Sequence, residues 1–194
     1  LQTPSKKFEF YSQTLKYHLE KQGASGGNKL RSPKASGIEA KGDQLFLPHW
    51  ESKINAAPDS EKEYPFHLKI FQPLVFAGSP HANQPFLQDI SSFYTEDKWS
   101  SWVELSPITA QKLGIKEGDS VWVESPSLKL KFKARLTPGA MPQVVNIPMG
   151  FGHKALGHWA KGMGEDPGRL MAYQAEPFTA EPLLHKTRVK VYKA

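Results

Sequence analysis

The stretch that decides the fold is residues 102–125, WVELSPITAQKLGIKEGDSVWVES. It predicts a strand, a short capped helix, a tight turn and a second strand. Ser106 is a typical helix N-cap, because its hydroxyl can accept a hydrogen bond from an amide of the first turn. Gly114 can adopt the left-handed conformation that ends a helix. Val121 and Val123 are separated by one residue, which is the period of a half-buried strand.

Alternation continues on both sides of this stretch. Residues 128–136, LKLKFKARL, carry apolar side chains at every second position and Lys or Arg at all of the others. This pattern predicts a strand with one buried face and one solvated face. Further strands are predicted over 67–76, 144–147 and 186–193. About six strands with short helices indicate a mainly β fold, a closed barrel, because closure leaves no exposed sheet edge.

The first third of the chain predicts an arm rather than part of the barrel. We expect residues 1–65 to form this arm and residues 66–194 to form the barrel domain. Residues 8–11 alternate as a short strand, and residues 12–21 follow as a helix. Residues 23–43 are rich in Gly, Ser and Lys, so they bury little apolar area and predict a mobile basic excursion.

Composition excludes several classes of protein. The 194 residues contain no Cys, which excludes disulfides, Cys-ligated zinc and an iron–sulfur cluster held within this chain. No apolar run reaches about 18 residues, so no membrane insertion is expected. The net charge of +6 is compatible with a plain solvated surface or with attraction to an anionic partner. Scattered Lys and Arg, without a recognition motif, predict no nucleic-acid partner. The chain begins without Met or a leader, from which we expect a piece of a larger protein.

Several motifs in a fixed order resemble one family. They are TPSKKFEFYS (3–12), LVFAGSPH (74–81), the stretch 102–125, LTPGAMPQVV (136–145), PMGFGH (148–153), DPGRLM (166–171) and TRVKV (187–191). Together they resemble the C-terminal molybdopterin dinucleotide-binding domain of molybdopterin oxidoreductases of the dimethyl sulfoxide reductase type. Residues 150–162, GFGHKALGHWAKG, are most similar to the branch of polysulfide and quinone-reductase complexes. The resemblance implies that the barrel is of the double-psi type.

The resemblance also implies which residues contact the cofactor. They are Gly78, Ser79, His81, Gly150, Gly152, His153, Lys154 and Asp166. The two Gly-containing segments could offer backbone amides to an anion, with Lys154 adding charge. Asp166 stands where many relatives have Asn, and its carboxylate could accept two hydrogen bonds from a guanine edge. Without the resemblance, an ordinary turn and a sharp bend explain the Gly-containing segments equally well.

The implied function is to clamp one guanylyl half of a bis-(molybdopterin guanine dinucleotide) cofactor. No catalytic residue and no metal site are predicted here, so the isolated domain should have no turnover. The resemblance implies an N-terminal catalytic part in the same parent chain. It also implies iron–sulfur and membrane subunits, a role in anaerobic respiration, and a prokaryotic, periplasmic location. The alternative is a structural or protein-interaction barrel of a respiratory complex subunit that has lost the cofactor.

Overall fold

The computed structural model describes residues 1–22, 38–51, 62–76, 79–90, 99–155, 157–172, 174–175, 181–183 and 186–194. The chain divides into two compact units. The first comprises Leu1–Ala56 and Ala175–Pro182, and the second comprises Ala57–Gln174 and Leu183–Ala194.

The second unit contains a closed barrel of six strands. The strands are β1 (Phe66–Phe71), β2 (Trp102–Leu105), β3 (Ser120–Glu124), β4 (Lys129–Leu136), β5 (Val144–Pro148) and β6 (Arg188–Lys193). Their order around the barrel is β1-β5-β2-β4-β3-β6. The pairs β1–β5 and β2–β4 are parallel, and the other neighbours are antiparallel. The prediction of a mainly β, closed six-stranded barrel is confirmed.

The core of the barrel follows from the alternation of its strands. In β4, Leu130, Phe132 and Ala134 are buried. Val121 of β3 pairs with Phe132, and Val123 pairs with Leu130, so apolar side chains from neighbouring strands meet on the inner face. Each such side chain contributes about 1.5–3 kcal/mol when it is fully removed from water. The barrel interior is therefore a packed core rather than a channel.

Two short helices belong to the barrel unit, α2 (Pro85–Ile90) and α3 (Pro107–Leu113). The capped helix predicted after Ser106 is α3. The Ser106 hydroxyl accepts a hydrogen bond from the amide of Thr109 at 3.1 Å, and Gly114 ends the helix with φ of 66°. Local capping therefore determines both ends of α3, as the sequence indicated.

Strand β1 is shorter than the predicted strand over 67–76, because it ends at Phe71. Pro73 has no amide to donate to a ladder, and its carbonyl instead accepts from the amide of Phe76 at 3.1 Å. The side chain of Gln72 donates to the carbonyl of Phe76 at 2.9 Å. Residues 72–76 therefore turn at the end of the barrel rather than extend the strand.

In the first unit, helix α1 spans Gln13–Gln22, as predicted to within one residue. The prediction of a strand at residues 8–11 is wrong. Phe8 and Phe10 are exposed, and their rings contact each other edge-on with centroids 5.0 Å apart. The carboxylate of Glu9 accepts from the amide of Ser5 at 2.8 Å, so local side-chain hydrogen bonds replace a β ladder.

The predicted basic excursion falls mostly outside the described residues, since 23–37 are not among them. Its last residues contribute to a 3₁₀ helix at Gly42–Phe46. Asp43 in this turn accepts a hydrogen bond from the Tyr11 hydroxyl at 2.9 Å. Within the described parts of the chain, we find no helix with the length and apolar character needed to cross a membrane.

Candidate cofactor-binding site

Three connecting segments meet at one end of the barrel. Strands β1 and β5 are parallel, with Phe71 beside Pro148, so the segments that follow them emerge together. Strand β2 is antiparallel to β5, so the residues that precede β2 lie at the same end. We call this the loop end, and define it as residues 72–76, 79–90, 99–101, 149–155 and 157–172. It contains every predicted site residue that the structure describes.

An aromatic cluster anchors the loop end to the barrel. Phe76, Trp102 and Phe151 are all buried. The ring of Phe151 lies edge-on to Phe76 at 5.5 Å and to Trp102 at 6.0 Å between centroids, which is a favourable geometry for aromatic pairs. Phe151 lies between Gly150 and Gly152 in residues 150–154, which we call the Gly-rich loop. The burial of Phe151 therefore fixes the position of this loop.

Gly152 brings this loop into direct contact with the segment around Asp166. Its φ is 83°, and its amide donates to the carbonyl of Met163 at 2.9 Å. A Cβ at position 152 would lie 2.8 Å from the carbonyl carbon of Glu165, and it would also collide with the amide of Asp166. The close approach that requires glycine here is therefore an approach to the protein's own backbone.

Asp166 is exposed and has a structural role of its own. One carboxylate oxygen accepts from the amide of Gly168 at 2.9 Å and caps the 3₁₀ helix Pro167–Leu170. The order Asp-Pro-Gly is itself a capping signal, because Asp is a favoured N-cap and Pro suits the first helical position. Sequence analysis gave Asp166 only a cofactor role and missed this one.

The remaining predicted residues lie in two turns. Gly78 is outside the described residues. Ser79 and His81 belong to a 3₁₀ helix at Ser79–Asn83, and His81 is exposed. His153 is half-buried, and its ring contacts the carbonyl of Gly150 at 3.2 Å, while Lys154 is exposed.

Asn83 was missed by sequence analysis, although it joins the 3₁₀ helix at Ser79–Asn83 to residues 157–160. Its side-chain oxygen accepts from the amides of Trp159 at 2.8 Å and Ala160 at 3.1 Å. The nearest atom to a Cβ built on Gly157 would be this same oxygen, at 2.9 Å. No local signal identifies Asn83, because its partners are more than 70 residues away in the sequence.

We expect Asn83→Ala to lower the free energy of unfolding by about 1–3 kcal/mol, because it removes the acceptor of two backbone amides. Asn83→Asp keeps an acceptor oxygen and should lose less. Urea denaturation of the two variants and the wild-type chain measures the difference. Equal losses in both variants would contradict the role given to the side-chain oxygen.

Comparison with known proteins identifies the family. A family model described as a molydopterin dinucleotide binding domain matches residues 88–188. The chain belongs to this family. The resemblance noted in the sequence is thereby confirmed, and the molybdopterin dinucleotide is established as the ligand class of the domain.

Relatives of this molybdopterin dinucleotide-binding domain are much longer proteins. The molybdopterin-containing subunit ArrA of arsenate respiratory reductase from Chrysiogenes arsenatis is 34% identical over 160 residues, which cover 80% of this chain and 18% of that protein. The molybdopterin-binding-like subunit of menaquinone reductase from Nitratidesulfovibrio vulgaris is 34% identical over 93 residues, 48% of this chain and 14% of that subunit. The chain thus spans less than a fifth of these curated relatives.

A solved structure shares the fold of the domain. Acetylene hydratase from Pelobacter acetylenicus superposes with a TM-score of 0.64 and 22% sequence identity. The comparison covers 99% of this chain and 24% of acetylene hydratase. This similarity concerns the fold alone.

The Gly-rich loop of this molybdopterin dinucleotide-binding domain provides a donor set that fits an anionic ligand. Among the described residues, none accepts a hydrogen bond from the amides of Gly150, Phe151, His153 or Lys154. Gly150 has φ of 107° and Gly152 has φ of 83°, and backbone of this kind can turn successive amides toward one anion. Oxygen atoms of a phosphate or a pterin are suitable acceptors for such a loop. In the same described residues, no group of three metal-ligating side chains is found.

Proposed function

We propose that this chain clamps the guanylyl half of a bis-(molybdopterin guanine dinucleotide) cofactor and has no turnover in isolation. The single observation that carries the proposal is the contact between the Gly-rich loop and Asp166. In the described part of the chain, no partner accepts from the amides of Gly150, Phe151, His153 or Lys154, and Gly152 in the same loop packs against the backbone of residues 165–166. Membership of the family supplies the ligand class.

The residues of the loop end have separate roles in this proposal. The amides of Gly150, Phe151, His153 and Lys154 donate to phosphate oxygens, and the Lys154 side chain adds a positive charge. Asp166 uses one oxygen to cap the 3₁₀ helix, and its other oxygen accepts from the N–H groups of the guanine edge. Gly78, Ser79 and His81 are proposed to contribute further polar contacts to the cofactor. When bound, the cofactor supplies the redox chemistry through its metal, while the protein supplies position and electrostatics.

The chain works, in this proposal, as part of a larger oxidoreductase. The lengths of the curated relatives support a larger catalytic part, N-terminal to this domain in the same parent chain. We extend the proposal to iron–sulfur and membrane subunits of an anaerobic respiratory complex at the periplasmic face of a bacterial membrane. The names of the arsenate respiratory and menaquinone reductase subunits support a respiratory role.

Asp166→Ser tests the cofactor role separately from the structural one. Serine keeps an oxygen that can cap the 3₁₀ helix, but it removes the carboxylate. In the full-length parent we expect guanine-nucleotide retention to weaken about tenfold, which is the loss of one charge-assisted hydrogen bond. The measurement is the guanine nucleotide released on denaturation after extensive dialysis.

Asp166→Ala is the matched variant. It removes the cap as well and should lower the free energy of unfolding by about 1 kcal/mol relative to Asp166→Ser. If Asp166→Ser retains as much guanine nucleotide as the wild-type parent, the carboxylate does not bind guanine. Unchanged retention in a Lys154→Gln variant too would mean that this branch kept the barrel and lost the cofactor role.

A further inference from the structure

Four alternating side chains form a basic stripe on β4: Lys129, Lys131, Lys133 and Arg135. The alternation predicted a uniformly solvated face, and the structure shows that the stripe is not one. Arg135 forms an ion pair with Glu104 at 3.3 Å. Lys129 and Lys131 lie over the ring of Trp122, 4.8 Å and 5.9 Å from its centroid. The lysines of the stripe therefore differ in their surroundings, and Lys131 differs from Lys129 because it also lines a cavity.

A polar cavity of about 290 Å³ opens beside this part of the stripe. Its polar side chains come from three serines, two lysines and one glutamate: Ser100, Ser101, Ser120, Lys131, Lys133 and Glu165. Lys129 is not among the lining residues. Of the two lysines that contact Trp122, Lys131 lines the cavity and Lys129 does not.

The walls of the cavity are built by the barrel and by the loop end. Ser120 of β3 pairs with Lys133 of β4 in the sheet. On the opposite side, buried Ser101 accepts from the amide of Glu165 at 2.9 Å. Gly164 packs so closely that a Cβ there would lie 2.8 Å from the amide nitrogen of Ser101. The shape of the cavity is thus set by backbone contacts rather than by long side chains alone.

Among the described residues that line the cavity, two lysines and three serines accompany a single carboxylate. The carboxylate of Glu165 is offset by Arg169, 3.6 Å away. Asp119, next to Ser120, is paired with Lys193 at 2.9 Å, and the hydrogen bond from Lys193 holds the pKa of this carboxyl below its ordinary value. Lys133 takes part in a further interaction within the chain. Lys131 and the serine hydroxyls are therefore the main donors that the cavity offers to a ligand.

We propose that this cavity is a phosphate-binding site, separate from the Gly-rich loop but joined to it through residues 164–166. An ammonium group and hydroxyls in a polar, partly enclosed cavity are the donors that phosphate oxygens accept from. The phosphate has two possible sources, a phosphate group of the bound dinucleotide or a free phosphate ligand. The inference goes beyond the contacts proposed for the Gly-rich loop and Asp166, and it does not depend on them.

Calorimetric titration of inorganic pyrophosphate into the 194-residue chain tests the site directly. We expect saturable binding that weakens as salt is added, because the attraction is partly ionic. Lys131→Gln combined with Ser120→Ala should raise the dissociation constant about tenfold or more. Lys129→Gln is the matched control, since it removes an equal charge from the same stripe and the same tryptophan but lies outside the cavity. It should leave the constant within about twofold.

Two outcomes would overturn the proposal: no saturable binding of pyrophosphate, or equal weakening by Lys129→Gln. The source of the phosphate is decided in the full-length parent. Guanine-nucleotide content that falls in the Lys131→Gln, Ser120→Ala variant assigns the site to the dinucleotide. Content that stays constant, while pyrophosphate binding is lost, assigns it to a free phosphate ligand. Because pyrophosphate binding is measured on the chain alone, its failure is distinguishable from a failure of the Asp166 prediction.

Discussion

Gly152→Ala is expected to lower the free energy of unfolding by about 3–5 kcal/mol. Two costs add at this position. An alanine at a φ of 83° costs about 1–2 kcal/mol. Its Cβ would also lie 2.8 Å from the carbonyl carbon of Glu165, and overpacking of this kind costs a further 1–3 kcal/mol or so. The loop and the segment around Asp166 would have to separate to accommodate it.

Gly162→Ala is the control for the first cost alone. Gly162 has a similar φ of 79°, but nothing lies within 4 Å of a Cβ built there. We therefore expect a loss of only about 1–2 kcal/mol for this variant. Urea denaturation of both variants and the wild-type chain gives the comparison. Losses of equal size would show that the loop relaxes without cost. This would contradict the prediction that the tight contact between Gly152 and the 165–166 backbone excludes a side chain.

Trp102→Ala is expected to be as damaging, with a loss of about 3–5 kcal/mol. The indole is 1% exposed and lies against Phe151 at the start of β2. Its ring N–H also donates to Glu104 at 3.2 Å, so the variant removes a hydrogen bond to the carboxylate that pairs with Arg135. The empty space left by the indole would remove packing support from Phe151, and the Gly-rich loop would lose its anchor.

Trp122→Ala is the matched control on the outer face of the barrel. Trp122 is only half-buried, and the flexible side chains of Lys129 and Lys131 lie over its ring. We expect it to lose less than about half as much stability, because little of a cavity would remain. Denaturant unfolding with far-UV circular dichroism reports both values. If Trp122→Ala were the more destabilising variant, the anchoring role of Trp102 would be refuted.

The sequence by itself determined the features that depend on neighbouring residues. The alternation over 128–136 predicted β4, and the cap at Ser106 with Gly114 predicted α3. These predictions succeed because a strand period and a helix cap each depend on residues only a few positions apart. The ordered motifs likewise indicate the family that the family model confirms.

Tertiary structure decided the features that depend on distant partners. The alternation at residues 8–11 was a false strand signal, because alternation does not supply a neighbouring strand, and no ladder forms there. Asn83 holds amides more than 70 residues away, and Gly152 is constrained by residues 165–166 rather than by its own neighbours. The parallel pairing of β1 with β5 brings such segments to one end of the barrel. Strand order depends on long-range closure of the barrel, and the local sequence of a strand does not indicate which other strand will pair with it.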